Sequence, residues 1–407
     1  MRKCVLYLLV LNLVLGLSAC TGGPSAAVAD APELLKAVPS DALCAGLYSR
    51  LDKGVDRMLD STNIVRSIEF GKLARSRSVI ALCDVGSIEP LVIVEAGKAS
   101  ADTSSAAASV LAQADSIGVS SLFAQVGSHN VLLLSPSETA LTVARRNVAS
   151  QSSILDAPEF DRVVSVLPSS DVVVYRSRGS HKLFVNSFSG PLRSEILAFL
   201  REASEWMVFT DDRIVTVQPE AERYWGNFCS SQPLAPVKLG SVMPDGTLFY
   251  VDIPVTEGYR VSYELWLDAR VALESYNRRI AKVWNSGNKD PRQWEKELGV
   301  AEAAVAYTPY GTLNLLRVKD KGKTDGVAVN PRTGFVRALY GSIFNDADSC
   351  MIRSGNWIIS GSRAALENYE PAKADGWPSK AKVVAGGPGN RFVWNKDNSI
   401  SIWDSNR

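Results

Sequence analysis

The chain has 407 residues, with 44 Lys and Arg against 43 Asp and Glu, 46% hydrophobic residues, 21% charged residues and six cysteines. Such a composition suits a globular protein of two or three modules at about 100–200 residues each, and it excludes a disordered tail, a collagen-like repeat and a small disulfide-stapled scaffold. A net charge of +1 supplies no long-range field to gather nucleic acid, so no nucleic-acid partner is expected.

Arg2 and Lys3 precede an apolar run from Val5 to Leu17, interrupted at Asn12 and Gly16. A bilayer span needs about 20 apolar residues, so this shorter run has the length of a signal-peptide core. It closes on Leu17-Ser18-Ala19-Cys20, which resembles a bacterial lipoprotein signal. That resemblance implies cleavage after Ala19 and acylation of Cys20 by diacylglyceryl and palmitate. The plainer alternative is a secretory signal followed by an unrelated cysteine. One acyl chain binds a membrane only marginally, whereas two or three on one residue anchor it durably. The small and polar stretch Thr21 to Asp30 (TGGPSAAVAD) reads as a flexible tether. It has no acidic run, and no later segment reaches 18 apolar residues. The expected location is the bacterial cell envelope, lipid-anchored on a periplasm-facing leaflet. Residues 1–19 are then the signal peptide and 20–30 the tether.

Cys4 would leave with the signal and Cys20 would carry lipid, leaving Cys44, Cys83, Cys229 and Cys350 as possible disulfide partners. Their spacing contains no CxxC, against a zinc ribbon or a thioredoxin-like motif. Cys44 and Cys83 both fall in strand-like runs, so a cross-strand bridge and buried free thiols are both open.

Three phrases repeat along the chain: Val38-Pro39-Ser40-Asp41 before ALCAGLY, Leu167-Pro168-Ser169-Ser170-Asp171 before VVVYRS, and Met243-Pro244-Asp245-Gly246 before TLFYVDI. Proline fixes φ and Asp or Gly serves the turn, so each reads as an entry into a strand. A second repeat relates Ser128-His129-Asn130, VLLL and SPSETAL to Ser354-Gly355-Asn356, WII and SGSRAAL, both patterned as turn, buried strand, helix cap and helix. These repeats predict a related α+β unit near each end, over 31–150 and 233–407, with a shorter related unit over 151–232.

Hairpins are expected for Val79 to Asp84 with Leu91 to Glu95, Trp206 to Thr210 with Arg213 to Val217, Ala303 to Tyr307 with Thr312 to Val318, and Phe392 to Trp394 with Ile400 to Ile402. Leu265, Ala269, Leu273, Tyr276, Ile280 and Trp284 recur at helical spacing and predict one long amphipathic helix. Asp290-Pro291 opens a further short helix that Gly299 ends. Adjacent strand pairs separated by helices give the fold class α+β, with mostly antiparallel sheets.

The chemistry is sparse. Two histidines exclude a three-His metal site. His129 could act as a base, but its counterpart in the repeat is Gly355, which favours a turn. His181, beside Lys182, reads as a solvated helix end. No GxSxG or HExxH occurs, the SxxK matches at Ser286 and Ser379 lack their partner motifs, and Pro388 spoils the glycine-rich 386–389 as a phosphate loop. Asp211-Asp212 suits a hairpin tip, and the mixed-sign run from Lys319 to Asp325 suits a solvated loop. The nine tryptophans suit core packing, with Tyr224, Trp225 and Phe228 as possible ligand-contact aromatics. No catalytic, metal or cofactor residues are assigned.

The signal, VPSD near the mature start, SILDAPEF before LPSSD and KDPRQWEKELGVAEAAVAY together resemble an uncharacterised bacterial lipoprotein family, a domain of unknown function. The resemblance covers most of the mature chain and transfers no functional residues. The reading that follows is a non-enzymatic envelope lipoprotein, attached through acyl chains on Cys20 and binding an envelope protein or glycan. The alternative is a periplasmic hydrolase of cell-wall or carbohydrate substrates, working through two carboxyl groups about 5–10 Å apart. Loss of residues 1–19 removes Arg2 and Lys3 and leaves the mature chain at 42 basic against 43 acidic residues, so membrane association would rest on the lipid.

Overall fold

The computed structural model describes residues 31–404 apart from 98–100, 169–170, 177–178, 180, 185–193, 195–203, 211–212, 218–223, 288, 320–327, 331, 375, 388–389 and 397–398. The expected signal (1–19) and tether (20–30) lie outside these residues. Apolar runs bounded by Pro, Gly and Asp pair into antiparallel sheets flanked by helices, an α+β architecture arranged as two compact units.

In the first unit, α1 (Ala31–Leu35) leads through Pro39 into β1 (Cys44–Tyr48), followed by α2 (Leu51–Met58), β2 (Ser78–Asp84), β3 (Ile88–Gly97), α3 (Ala101–Ser116), β4 (Ser120–Val126), β5 (His129–Ser135), α4 (Glu138–Ser150), α5 (Phe160–Val166), β6 (Val172–Arg176), β7 (Trp206–Phe209) and β8 (Arg213–Val217). The sheet order is β4-β5-β3-β2-β1-β6-β7-β8. Because successive strand residues face opposite sides, this sheet builds two cores. Leu34, Leu47, Val79, Ile93 and Leu133 pack on one face with Ala144 and Phe160. Leu51, Met58, Ile80, Val92 and Leu132 pack on the other with Val110.

The second unit contains α6 (Trp225–Ser231), β9 (Ala235–Pro236), β10 (Phe249–Pro254), α7 (Tyr259–Ala269), α8 (Leu273–Gly287), α9 (Pro291–Leu298), β11 (Glu302–Thr308), β12 (Gly311–Arg317), β13 (Ala328–Val329), α10 (Phe335–Tyr340), β14 (Cys350–Ser354), β15 (Trp357–Gly361), α11 (Arg363–Glu367), β16 (Lys380–Ala381), β17 (Val384–Gly387), β18 (Asn390–Trp394) and β19 (Ser399–Asp404). Its main sheet runs β13-β14-β15-β12-β11-β10-β17-β18-β19.

The two sheets are copies of one topology. In each, a first strand pairs with a hairpin, a second hairpin adds its later strand to the outer side of the first, and a three-strand meander pairs with the first strand's free side. The registers also agree. Leu47 faces Val79 and Val172, and Asp252 faces Ala304 and Val384. In the meanders, Val173 faces Phe209, which faces Ile214, while Ala385 faces Phe392, which faces Ile402. Both expected Ser caps are present, with Ser137 Oγ accepting from Ala140 N and Ser362 Oγ from Ala365 N.

All four expected hairpins form. The second phrase, ending at Asp171 before β6, plays a different part from the one its similarity suggested. Strands β6–β8 complete the first sheet, while α6 belongs to the second unit, so residues 151–232 divide between two units instead of forming a third. The reason is hydrogen bonding: β1 would otherwise leave one side unpaired, and β6 fills it.

The long helix also differs. It breaks into α7 and α8 at Arg270–Ala272, where Val271 adopts φ +56° and is 94% exposed. Leu265 and Trp284, expected on the buried stripe, face solvent, while Tyr259, Tyr263 and Trp266 are buried. Periodicity read across the break joined the phases of two helices. The short helix α9 is as expected: Asp290 accepts from Arg292 N at 2.8 Å, Pro291 opens it, and Gly299 closes it at φ +60°.

A β-branched residue in the left-handed region is strained by about 1–2 kcal/mol. Val271→Gly is expected to raise stability by about 1 kcal/mol, measured as an increased denaturation midpoint with unchanged secondary structure.

Candidate functional site

The one described cluster that combines hydroxyl, imidazole and carboxylate groups lies at the β4–β5 turn of the first unit. Arg77, just before β2, holds Glu95 of β3 across the strands, with Nε 2.7 Å from Oε2 and Nη2 2.8 Å from Oε1. His129 opens β5 and places Nδ1 2.7 Å from Glu95 Oε1 and Nε2 3.1 Å from Glu33 Oε2. Glu33 projects from α1 and accepts from Ser128 Oγ at 2.9 Å and Ser128 N at 3.3 Å. Gly127 has φ +58°, a backbone conformation that favours glycine, and a Cβ there would come within 2.9 Å of Glu33 Oε2 and displace the end of that side chain.

His129 is a strand residue and not the turn residue that its alignment with Gly355 suggested. The turn is Gly127-Ser128, and the pairs Gln125↔Asn130 and Val126↔His129 extend this hairpin by two pairs relative to β14–β15, which closes at Ser354↔Trp357. Sequence similarity and strand register agree in aligning Val131 with Trp357, and the difference lies in where each turn falls, at Gly127-Ser128 in one hairpin and at Gly355-Asn356 in the other.

The Arg77 hydrogen bond, aided by His129, holds the Glu95 carboxyl below its usual range against the opposing effect of burial. Ser128 does the same for exposed Glu33. In a nucleophilic relay the imidazole stands between hydroxyl and carboxylate. Here the Glu33 carboxylate stands between Ser128 and His129, and both ring nitrogens are engaged, so Ser128 gains no base. An imidazolium donates to both carboxylates, and a neutral ring to one. The arrangement is an electrostatic clasp tying α1 to the sheet.

At the corresponding hairpin position the second unit carries the same cross-strand pair with its charges exchanged. Glu302 stands where Arg77 does, and Arg317 where Glu95 does. Arg317 Nε lies 2.6 Å from Glu302 Oε2, while Glu302 Oε1 accepts from Lys238 N at 2.7 Å and Leu239 N at 2.8 Å. Asp252 lies diagonally across β10–β11 on the same face and is fully buried, and no donor reaches either of its oxygens. Burial, then the neighbouring Glu302 charge, pushes its pKa well above the usual carboxylate range. A protonated Asp252 supplies the donor this pair lacks. A glycosidase acid must meet substrate at a cleft; Asp252 is 0% exposed, and the more accessible Glu33 and Glu95 are lowered.

The four proposed disulfide cysteines are free and buried. Cys44 faces the core with Met58 and Ile80, whereas Cys83 faces the opposite core with Val79 and Leu91. A bridge between them would have to pass through the sheet. Burial pushes both thiols up to about 12, leaving them protonated. Cys229 lies on α6 and Cys350 at the start of β14, each unbridged.

The aromatic trio is also internal. Trp225 packs edge-on to Trp394, and Phe228 packs against Tyr259, Tyr263 and Trp266. The half-buried Tyr224 offers its carbonyl to Trp266 Nε1 at 2.9 Å. The faces of Trp225 and Phe228 are therefore occupied by protein, and no ligand platform remains there. The SxxK residues are separated in their bonding: Ser286 donates to Val283 O, Lys289 pairs with Glu297, and Lys382 donates to Ser230 O. Asp211-Asp212 and 320–327 lie outside the described residues, as does the side chain of His181.

Among the described residues no group of three His, Cys, Asp or Glu side chains is placed to hold a metal, and no helix is long and apolar enough to cross a membrane. Comparison with family models, curated proteins and solved structures finds no match.

Removing the clasp's central group leaves two carboxylates facing an empty site. His129→Ala is expected to lower stability by about 1 kcal/mol, read by chemical denaturation at neutral pH. Because Glu95 is lowered on folding, its contribution is full above the unfolded value of about 4.3 and is lost as pH falls through the lower folded value. Asp252 acts in the opposite sense: the folded state holds its proton more tightly, so stability is lost as pH rises above the unfolded value of about 3.9. Asp252→Asn is therefore expected to stabilise at pH 7 and to flatten the pH dependence on the alkaline side, measured by denaturation midpoints from pH 4 to pH 8.

Proposed function

We propose that the chain is a membrane-anchored envelope lipoprotein acting as a non-enzymatic binding or scaffold protein. The observation that carries this reading is the Leu17-Ser18-Ala19-Cys20 sequence after a basic start and a signal-length apolar core. The near-balance of charge supports attachment by lipid, since a neutral surface has little attraction for anionic headgroups. The binding role draws on duplicated sheet units whose polar clusters are neutralised internally. Ser128, His129 and Glu33 are bonded in an order that holds α1 in place, a structural use of residues that could otherwise do chemistry. The partner in this proposal is an envelope protein or glycan, and the resemblance to uncharacterised bacterial lipoproteins agrees with it.

Labelled palmitate should enter the wild-type chain and not Cys20→Ala, and the wild type should fractionate with membranes after a high-salt wash. Equal labelling of both would remove the basis of the anchoring. Affinity capture from detergent-solubilised envelopes, with Cys20→Ala as control, tests binding: nothing retained above the control would count against it.

A further inference from the structure

The duplicated topology permits a comparison of the same sheet edge in two versions. In the second unit β14 stands beside β15, and its outer side is guarded twice. Strand β13 pairs with it at Ala328↔Met351 and Val329↔Cys350, and Arg353 places a charge on the strand. In the first unit the corresponding strand is β4. The register equates Leu132 with Ile358, so Phe123, opposite Leu132, stands where Arg353 stands opposite Ile358.

Neither guard is present on β4. Among the described residues it pairs with β5 alone. Its sequence, SSLFAQV, has no charge, proline or glycine, and its seven-pair ladder runs without a bulge. Phe123 is 45% exposed. Charge, proline, bulges and covering strands are the usual means of keeping an edge from pairing, and among the described residues β4 has none of them.

We propose that β4 is an interaction surface on which a second copy of this chain adds its own β4 in antiparallel pairing. The strand fits itself. A two-fold arrangement centred on Phe123 sets the two Phe123 rings side by side, Leu122 opposite Ala124, Ser121 opposite Gln125 and Ser120 opposite Val126. No charge meets a like charge, and aromatic cross-strand neighbours stabilise such a pair. A charged partner segment would find no counter-charge on β4. The β13–β14 pairing shows that this position of the fold accepts an added antiparallel strand. The interface is isologous and closes at two copies.

The test uses the full chain in its membrane. Opposed positions bring Cβ atoms to about 4.5–5.5 Å, close enough for a disulfide after small adjustment. Phe123→Cys, treated with copper–phenanthroline, should give a band of twice the chain mass on a non-reducing gel. Leu265→Cys, more exposed than Phe123 but on α7, should not. In detergent, sedimentation of the wild type should show a dimer, and Phe123→Lys should weaken self-association about tenfold or more with an unchanged melting temperature. A monomeric wild type, equal crosslinking of the two cysteine variants, or crosslinking of Phe123→Cys to a different protein would each overturn the proposal. A dimer that Phe123→Lys leaves intact would overturn it as well.

Discussion

The cross-strand ion pair beside the first hairpin is the interaction around which each unit organises its polar interior. Arg77 with Glu95, and Glu302 with Arg317, occupy the same register on the same face of two sheets, with the sign of charge exchanged. Each pair gathers further polar groups. The glutamate of the first draws in His129 and through it Glu33 of α1; the glutamate of the second accepts two backbone amides at Lys238 and Leu239 and sits beside Asp252. A buried ion pair is costly unless its remaining hydrogen-bonding capacity is filled. Both units meet that requirement by using the pair to fix the segment that leads into their first strand.

The exchange of charge has different consequences in the two settings. In the first unit the pair is partly accessible and the surplus acid is balanced by an imidazole. In the second unit the surplus acid is Asp252, fully enclosed, and its neutral form solves the electrostatic problem. The same architecture thus carries opposite pH responses, one contribution lost toward acid and the other toward alkali. The difference follows from burial and from the sign of the nearest charge.

Much of the fold was legible because strands and turns announce themselves locally. The proline phrases, the hairpin runs, the Ser caps at Ser137 and Ser362, and the Asp290-to-Gly299 helix depend on neighbours in sequence. The misreadings came from longer range. The α7–α8 stripe was one period only if Val271 continued the helix. Residues 151–232 looked like a unit because the unpaired side of β1 cannot be seen from β6 alone. The site was legible only as His129 and Ser128; Glu33, Glu95 and Arg77 carried no local signal. Their trace in the sequence was the reciprocal placement of Arg77 and Glu95 against Glu302 and Arg317, visible only once the strand registers are known.

By itself the sequence determined the fold class, the hairpins and the resemblance of Leu17 to Cys20 to a lipoprotein signal, since each rests on a run of adjacent residues whose polarity and turn chemistry suffice. The tertiary structure decided which side of the sheet each residue meets. It placed Cys44 and Cys83 in opposite cores, enclosed Trp225 and Phe228, and brought Glu33 to His129 across 96 positions of chain. Side-chain facing alternates with every strand residue. A single step of register therefore separates a bridge from two buried thiols, and only the paired strands fix that step.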